Sequence, residues 1–271
     1  VFFGRLGQAF AMFTHFSIRH PYGHHNLVCT PADPATAKRG ENFWPFAVRS
    51  TIGQYKMTWQ LERDRLAKKG SGPWSIENKA LRGWGMELLV AMLFFWAAGI
   101  VGLIGYLAVG VIAQTILELA NYIEHYGLHR VPNEPQQIRH AWNDNTRLTY
   151  WLTWAIGRHA HHHADADVEF WNLKPVLNQA PETPFGYLAT WAICTIPPIW
   201  HALMNPKLLE WDEKFATEAE RELAAQANAL SGQPMLMKAA EQYYREKGKQ
   251  VPQPPAQPQP LAGSHEASPA L

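Results

Sequence analysis

The sequence predicts an all-α, multi-span membrane helical fold. Three observations predict it. The thirty residues from Leu88 to Leu117 carry no charge, whereas one bilayer-spanning helix needs only about 20. A second uncharged stretch, "FGYLATWAICTIPPIWHALM", fills residues 185–204. The chain also holds 12 Trp in 271 residues, and such amphipathic rings favour the headgroup level of a membrane.

Taken in order, residues 1–18 are apolar and aromatic and read as the end of a helix or span. The chain opens inside this segment, at Val1-Phe2-Phe3-Gly4, with no basic region or small-residue cleavage site. The expectation is therefore an incomplete N-terminus rather than a signal peptide. Residues 19–84 are polar, with turn signals at Thr30-Pro31, Asp33-Pro34 and Gly70-Ser71-Gly72-Pro73. Within them Gln54 to Lys69 reads as an exposed amphipathic helix, in which Trp59, Leu61 and Leu66 interleave with charged residues.

A helix of thirty residues would extend roughly 45 Å, well beyond a hydrocarbon core of roughly 30 Å. A hairpin of two spans, roughly 86–101 and 104–122, fits better, turning near Gly99, Gly102 and Gly105. The competing explanation is a buried helix pair in a soluble core. A hairpin returns both polar flanks, 19–84 and 124–170, to one side of the membrane. Lys and Arg are dense in 38–82 and recur at Arg130, Arg139 and Arg147, which makes that side cytoplasmic. Pro197-Pro198 should kink the 185–204 stretch. This gives a membrane domain over 1–205, incomplete at its N-terminus. A peripheral charged helical segment follows at 206–250, then a disordered Pro-rich tail at 251–271.

Composition excludes several classes. A net charge of +1 gives no electrostatic footprint for nucleic acid. The two cysteines, Cys29 and Cys194, support neither a disulfide framework nor a zinc ribbon nor an iron–sulfur cluster.

The 13 histidines are the chemical signal. In "RHPYGHH", His20 and His24 stand four apart, one turn along a helix face, with His25 beside them. In "ELANYIEHYGLHR", His125 follows Glu124 at the end of the apolar run, and Glu118 lies seven residues earlier. An acidic residue that deep is functional by default. In "GRHAHHHADADVEF", His159, His162 and His163 share one helical face and His161 lies off it. Seven ligand-spaced imidazoles are too many for one ion and suggest two. The expectation is a cytoplasmic histidine-rich di-metal site. Asp33, Glu124, Asp165 and Asp167 are candidates to orient the rings through their second nitrogens.

At these residues the chain resembles the integral-membrane alkane 1-monooxygenases, within the wider membrane di-iron hydroxylase and desaturase group. That family carries H-E-x-x-H, E-H-x-x-G-H-H and R-H-x-x-H-H motifs and the string N-Y-x-E-H-Y-G. This chain has "RHPYGHH", "NYIEHYGLHR" and "RHAHHHA". "VCTPADPATAKRGENFWPF" and "IRHAWN" extend the likeness, which runs from about residue 14 to about 205. The resemblance implies that His20, His24, His25, His125, His159, His162 and His163 bind two non-haem irons. It implies terminal hydroxylation of an n-alkane with dioxygen and two electrons. The electrons would come from rubredoxin, itself reduced by a flavin-containing rubredoxin reductase. It further implies a bacterial inner membrane location, with substrate drawn from the lipid. Two departures stand out. H-E-x-x-H is absent and is expected upstream of Val1, so this chain alone should be inactive. Arg19 stands where the family has Glu, and a guanidinium offers an imidazole no acceptor.

Related readings are an aryl-methyl hydroxylase or a fatty-acyl desaturase. From another class comes a histidine-rich protein that binds or transports Zn or Cu without redox chemistry. A transporter would hold its ligands near the membrane midplane, whereas these clusters lie beyond the ends of the apolar run.

Overall fold

The computed structural model describes residues 2–253; His265 and most of the expected Pro-rich tail lie outside the described residues. The described residues are helical, and their sole β feature is an isolated bridge between Asn143 and Glu182. Helices α1 (Phe2–Phe10), α2 (Phe16–Arg19) and α3 (His25–Leu27) lead into two long elements, α4 (Phe43–Ala67) and α5 (Lys79–His125). Short α6 (Arg147–Leu152) and α7 (His159–Ala164) follow, then α8 (Tyr187–Cys194), α9 (Pro197–Lys214), α10 (Glu218–Ala229) and α11 (Pro234–Glu246).

Helix α5 is long and apolar enough to cross a membrane, and only 6% of its most apolar stretch is buried. It starts at Asn78, whose side chain accepts from the backbone of Ala80 and Leu81. Helical geometry breaks at Ala98 and Gly99, and there the chain reverses. Tyr106 Oη donates to the carbonyl of Glu87 at 3.2 Å. In an unbroken helix those residues would stand roughly 28 Å apart. The rings of Phe94 and Tyr106 stack at 5.5 Å. Ala9 of α1 completes this small core with Val90 and Tyr106. The turn falls at 98–99, just inside the first expected span rather than between 101 and 104, because Gly99 alone there takes a positive φ, 60°.

The amphipathic helix expected over Gln54–Lys69 begins earlier, at Phe43. Its inward stripe is Phe43, Phe46, Ser50, Gln54, Thr58, Glu62 and Leu66. Four of those seven residues are polar, so hydrophobic periodicity understates both the helix's length and its burial. Pro197 opens α9 after a break at Thr195 and Ile196, so the proline pair separates two helices. The main core joins Phe43, Phe46, Tyr122 and Tyr126 to Trp142, Trp200 and Trp211. The charged segment 206–250 sends Leu208, Trp211, Ala224 and Leu236 into that same core.

Candidate metal centre

The seven histidines meet where α5 ends, beneath α7 and the His20–His24 turn. They form two groups, His24 with His125, His159 and His163, and His20 with His25 and His162. Within each group one ligand atom from every side chain lies within 4.8 Å of the others. The groups touch, with the rings of His25 and His163 stacked at 4.6 Å.

The backbone sorts the rings. Residues 20–24 form a π-helical turn, and His25 N–H bonds back to His20 C=O across five residues. That wider turn aligns i with i+5. His20 therefore pairs with His25, and His24 points to the other group. The sequence spacing had placed His20 and His24 together on one α-helical face. Helix α7 divides likewise: His159 and His163, four apart, face one group while His162 faces the other. His161 joins neither group.

The donors fit a metal ion. Imidazole–metal bonds of 2.0–2.1 Å set tetrahedral ligand nitrogens roughly 3.3 Å apart. The observed separations are 3.1 Å for His125–His159, 3.0 Å for His20–His25 and 3.5 Å for His20–His162, all between Nε2 atoms. Burial, assisted by neighbouring imidazoles, pushes the pKa of His25 down to about 3 and that of His162 to about 4. Burial first, then adjacent charge, also holds His20, His159 and His163 well below 6.5. These five rings are neutral at pH 7, the form that binds metal. His163 Nδ1 pairs with Gln136 Oε1 at 3.1 Å, while its buried Nε2 has no hydrogen-bond partner among the described residues.

The acidic candidates separate. Asp33 is buried and its Oδ2 lies 2.9 Å from His24 Nδ1. Helix α4 approaches the Asp33 loop closely because residue 53 is Gly; a Cβ there would lie 2.4 Å from Pro34 Cβ. Glu124 Oε2 lies 3.2 Å from His159 Nε2, and Tyr187 Oη donates to Glu124 Oε1 at 3.0 Å. Asp165 and Asp167 are exposed and hydrogen-bond to no imidazole among the described residues. Glu118 takes hydrogen bonds from Gln54 at 2.6 Å and Gln114 at 2.7 Å. Gln136, Tyr187 and His140 escape sequence reasoning, since an amide, a phenol and a main-chain carbonyl carry no spacing signature.

The fatty acid desaturase family profile matches residues 1–193. The chain belongs to the fatty acid desaturase family. It is 35% identical over 242 residues to the hydroxylase component of xylene/toluene monooxygenase from Pseudomonas putida, covering 85% of this chain and 63% of that protein. It is 36% identical to an alkane 1-monooxygenase of Acinetobacter baylyi, covering 76% of this chain and 52% of the relative. For an alkane 1-monooxygenase of Alcanivorax borkumensis the identity is 31%, covering 92% and 60%. The chain thus spans from about half to just under two thirds of the length of these curated relatives.

Proposed function

We propose that the protein containing this chain is a membrane alkane 1-monooxygenase with two non-haem irons, held by His24, His125, His159 and His163 and by His20, His25 and His162. The observation that carries the reading is the convergence of seven imidazoles into two abutting groups at the mouth of an apolar hairpin. The alkane 1-monooxygenase relatives support the substrate class. Bound iron would supply dioxygen activation, with the overall balance R–CH3 + O2 + 2 e− + 2 H+ → R–CH2OH + H2O. The protein's own share is positional. Asp33 and Gln136 hold the Nδ1 atoms of His24 and His163, and burial keeps His20, His25, His159, His162 and His163 unprotonated. Electrons would come from reduced rubredoxin, itself reduced by rubredoxin reductase. The two arms of α5 would lie in the bacterial inner membrane with the histidines on the cytoplasmic side, so that an apolar substrate arrives from the lipid.

The xylene/toluene monooxygenase relative favours a second reading, hydroxylation of aryl methyl groups. Two measurements on the full-length protein test these readings. Metal analysis should find about two irons per chain, and zinc alone would sink both. Turnover of n-alkanes against toluene and xylenes then chooses between them. Replacing His125 or His162 by Ala should abolish whichever oxidation is found; retained turnover in either variant would refute the ligand assignment.

A further inference from the structure

The family profile ends at residue 193, yet a carboxylate beyond it reaches toward the metal centre. Glu220 sits in the first turn of α10, where it forms a capping box with Thr217. Its side chain is fully buried. Glu220 Oε1 lies 2.6 Å from His140 Nε2, and Arg139 Nε donates to Oε2 at 2.9 Å. His140 Nδ1 accepts from the backbone N–H of Gln137 at 3.0 Å. With Nδ1 an acceptor, the ring proton of His140 sits on Nε2 and points at Glu220. Both ring nitrogens are thus committed, and the turn Ile138–His140 is clamped from its side chains.

The carbonyl of that turn does the next job. His140 C=O accepts from Cys29 Sγ at 2.9 Å and faces His125 Nδ1 at 3.4 Å. His125 then has its Nδ1 turned to a main-chain acceptor and its Nε2 turned into the four-histidine group. Trp211 of α9 reinforces the arrangement, donating from Nε1 to the carbonyl of Arg139 at 2.8 Å.

We propose that Glu220 is a positioning residue of the metal centre, fixing the turn whose carbonyl orients His125. The inference rests on the reading that the four-histidine group holds a metal. An acceptor that orients a metal-bound imidazole typically accounts for about 10–100-fold in metal affinity. Glu220 would act one residue further out, through His140.

The test is Co2+ titration of the metal-depleted full-length protein, followed by the ligand-field absorption of the bound ion. E220Q keeps the shape of the side chain but removes its charge. It should weaken Co2+ binding about 10-fold and alter the absorption spectrum. E220D keeps the charge at shorter reach, so its affinity should fall between wild type and E220Q; should E220Q not accumulate folded, E220D alone must bind measurably more weakly than wild type. A240G loosens the buried contact of α10 with α11, where Ala240 packs against Ala225 and Ala229, without touching Glu220. It should lower thermal stability and leave affinity and spectrum at wild-type values. Wild-type affinity and spectrum in E220Q would overturn the inference, as would an equal loss in A240G. A wild-type protein that binds no Co2+ would overturn the metal-site reading and this inference with it.

Discussion

Asp33 has the most defined task of any carboxylate in the molecule. It accepts from Thr36 Oγ1 at 2.8 Å and from the Ala35 N–H at 3.2 Å, besides holding His24. Burial alone would raise its pKa, but His24, the hydrogen bonds and the nearby Arg19 prevail and hold it at about 2. It therefore stays ionised at neutral pH. Asp33→Asn replaces one acceptor oxygen by a donor and removes the charge opposite His24. Metal affinity should fall about 10–100-fold with little change in secondary structure. Iron retained after dialysis against a chelator reports this, and wild-type retention would remove Asp33 from the site. Arg19 is the opposite case. Its guanidinium is fully buried, packs 5.4 Å from the Phe16 ring, and finds no hydrogen-bond acceptor among the described residues. The neighbouring His20 Nδ1 has no hydrogen-bond partner among the described residues either, and a guanidinium offers it no acceptor. At this scale the histidine spacing and the end of the apolar run singled out the seven side chains that the structure brings together. The sequence could not pair them, because a π turn and an α turn are indistinguishable in a string of letters.

At the scale of the element, the reversal in α5 depends on one residue. Gly99 has φ 60° and ψ −146°, a region open essentially to glycine and costing other residues about 1–3 kcal/mol. Nothing crowds its Cβ position within 4 Å, so the penalty of Gly99→Ala is purely conformational. Gly105 offers the control, since it lies inside the second arm with equally open space. There Ala is the better helix former by about 0.5–1 kcal/mol. The two substitutions should move the thermal midpoint of the detergent-solubilised protein in opposite directions, Gly99→Ala down and Gly105→Ala up. A common sign would mean that the reversal at Gly99 is not the native one. The reversal within α5 was legible because an uncharged run of thirty residues is longer than one helix needs to cross a bilayer. Helix α4 was only half legible. Its buried face carries Ser50, Gln54, Thr58 and Glu62, of which Gln54 reaches Glu118 and Glu62 the Lys79 N–H on α5, while Thr58 bonds the Gln54 carbonyl of its own helix.

Across the whole molecule, side chains far apart in sequence close the centre, and most of these contacts were invisible beforehand. Arg39 joins the carbonyl of Gly127 at 2.8 Å to Asp212 at 2.6 Å and Asn228 at 2.8 Å. It thereby ties the loop after α5 to α9 and α10. The histidines held inside this frame tie its stability to pH. Burial is the main cause that lowers His25 and His129 to about 3 and His162 to about 4. In the unfolded chain each would titrate near 6.5. Above that pH both states are neutral and these groups contribute nothing to the pH dependence. Between about 6.5 and 4 the unfolded chain takes up protons that the folded chain refuses. Each such histidine then costs the metal-free fold about 1.4 kcal/mol per pH unit as pH falls. The denaturation midpoint of metal-depleted protein should be flat from pH 8 to 7 and fall steeply from 6.5 toward 5. Restoring the metal should raise the whole curve and steepen its acid limb, because protons then also compete for the ligands. A midpoint unchanged between pH 7 and pH 5 would mean that the imidazoles are not buried in their neutral form, and the metal centre would lose its physical basis.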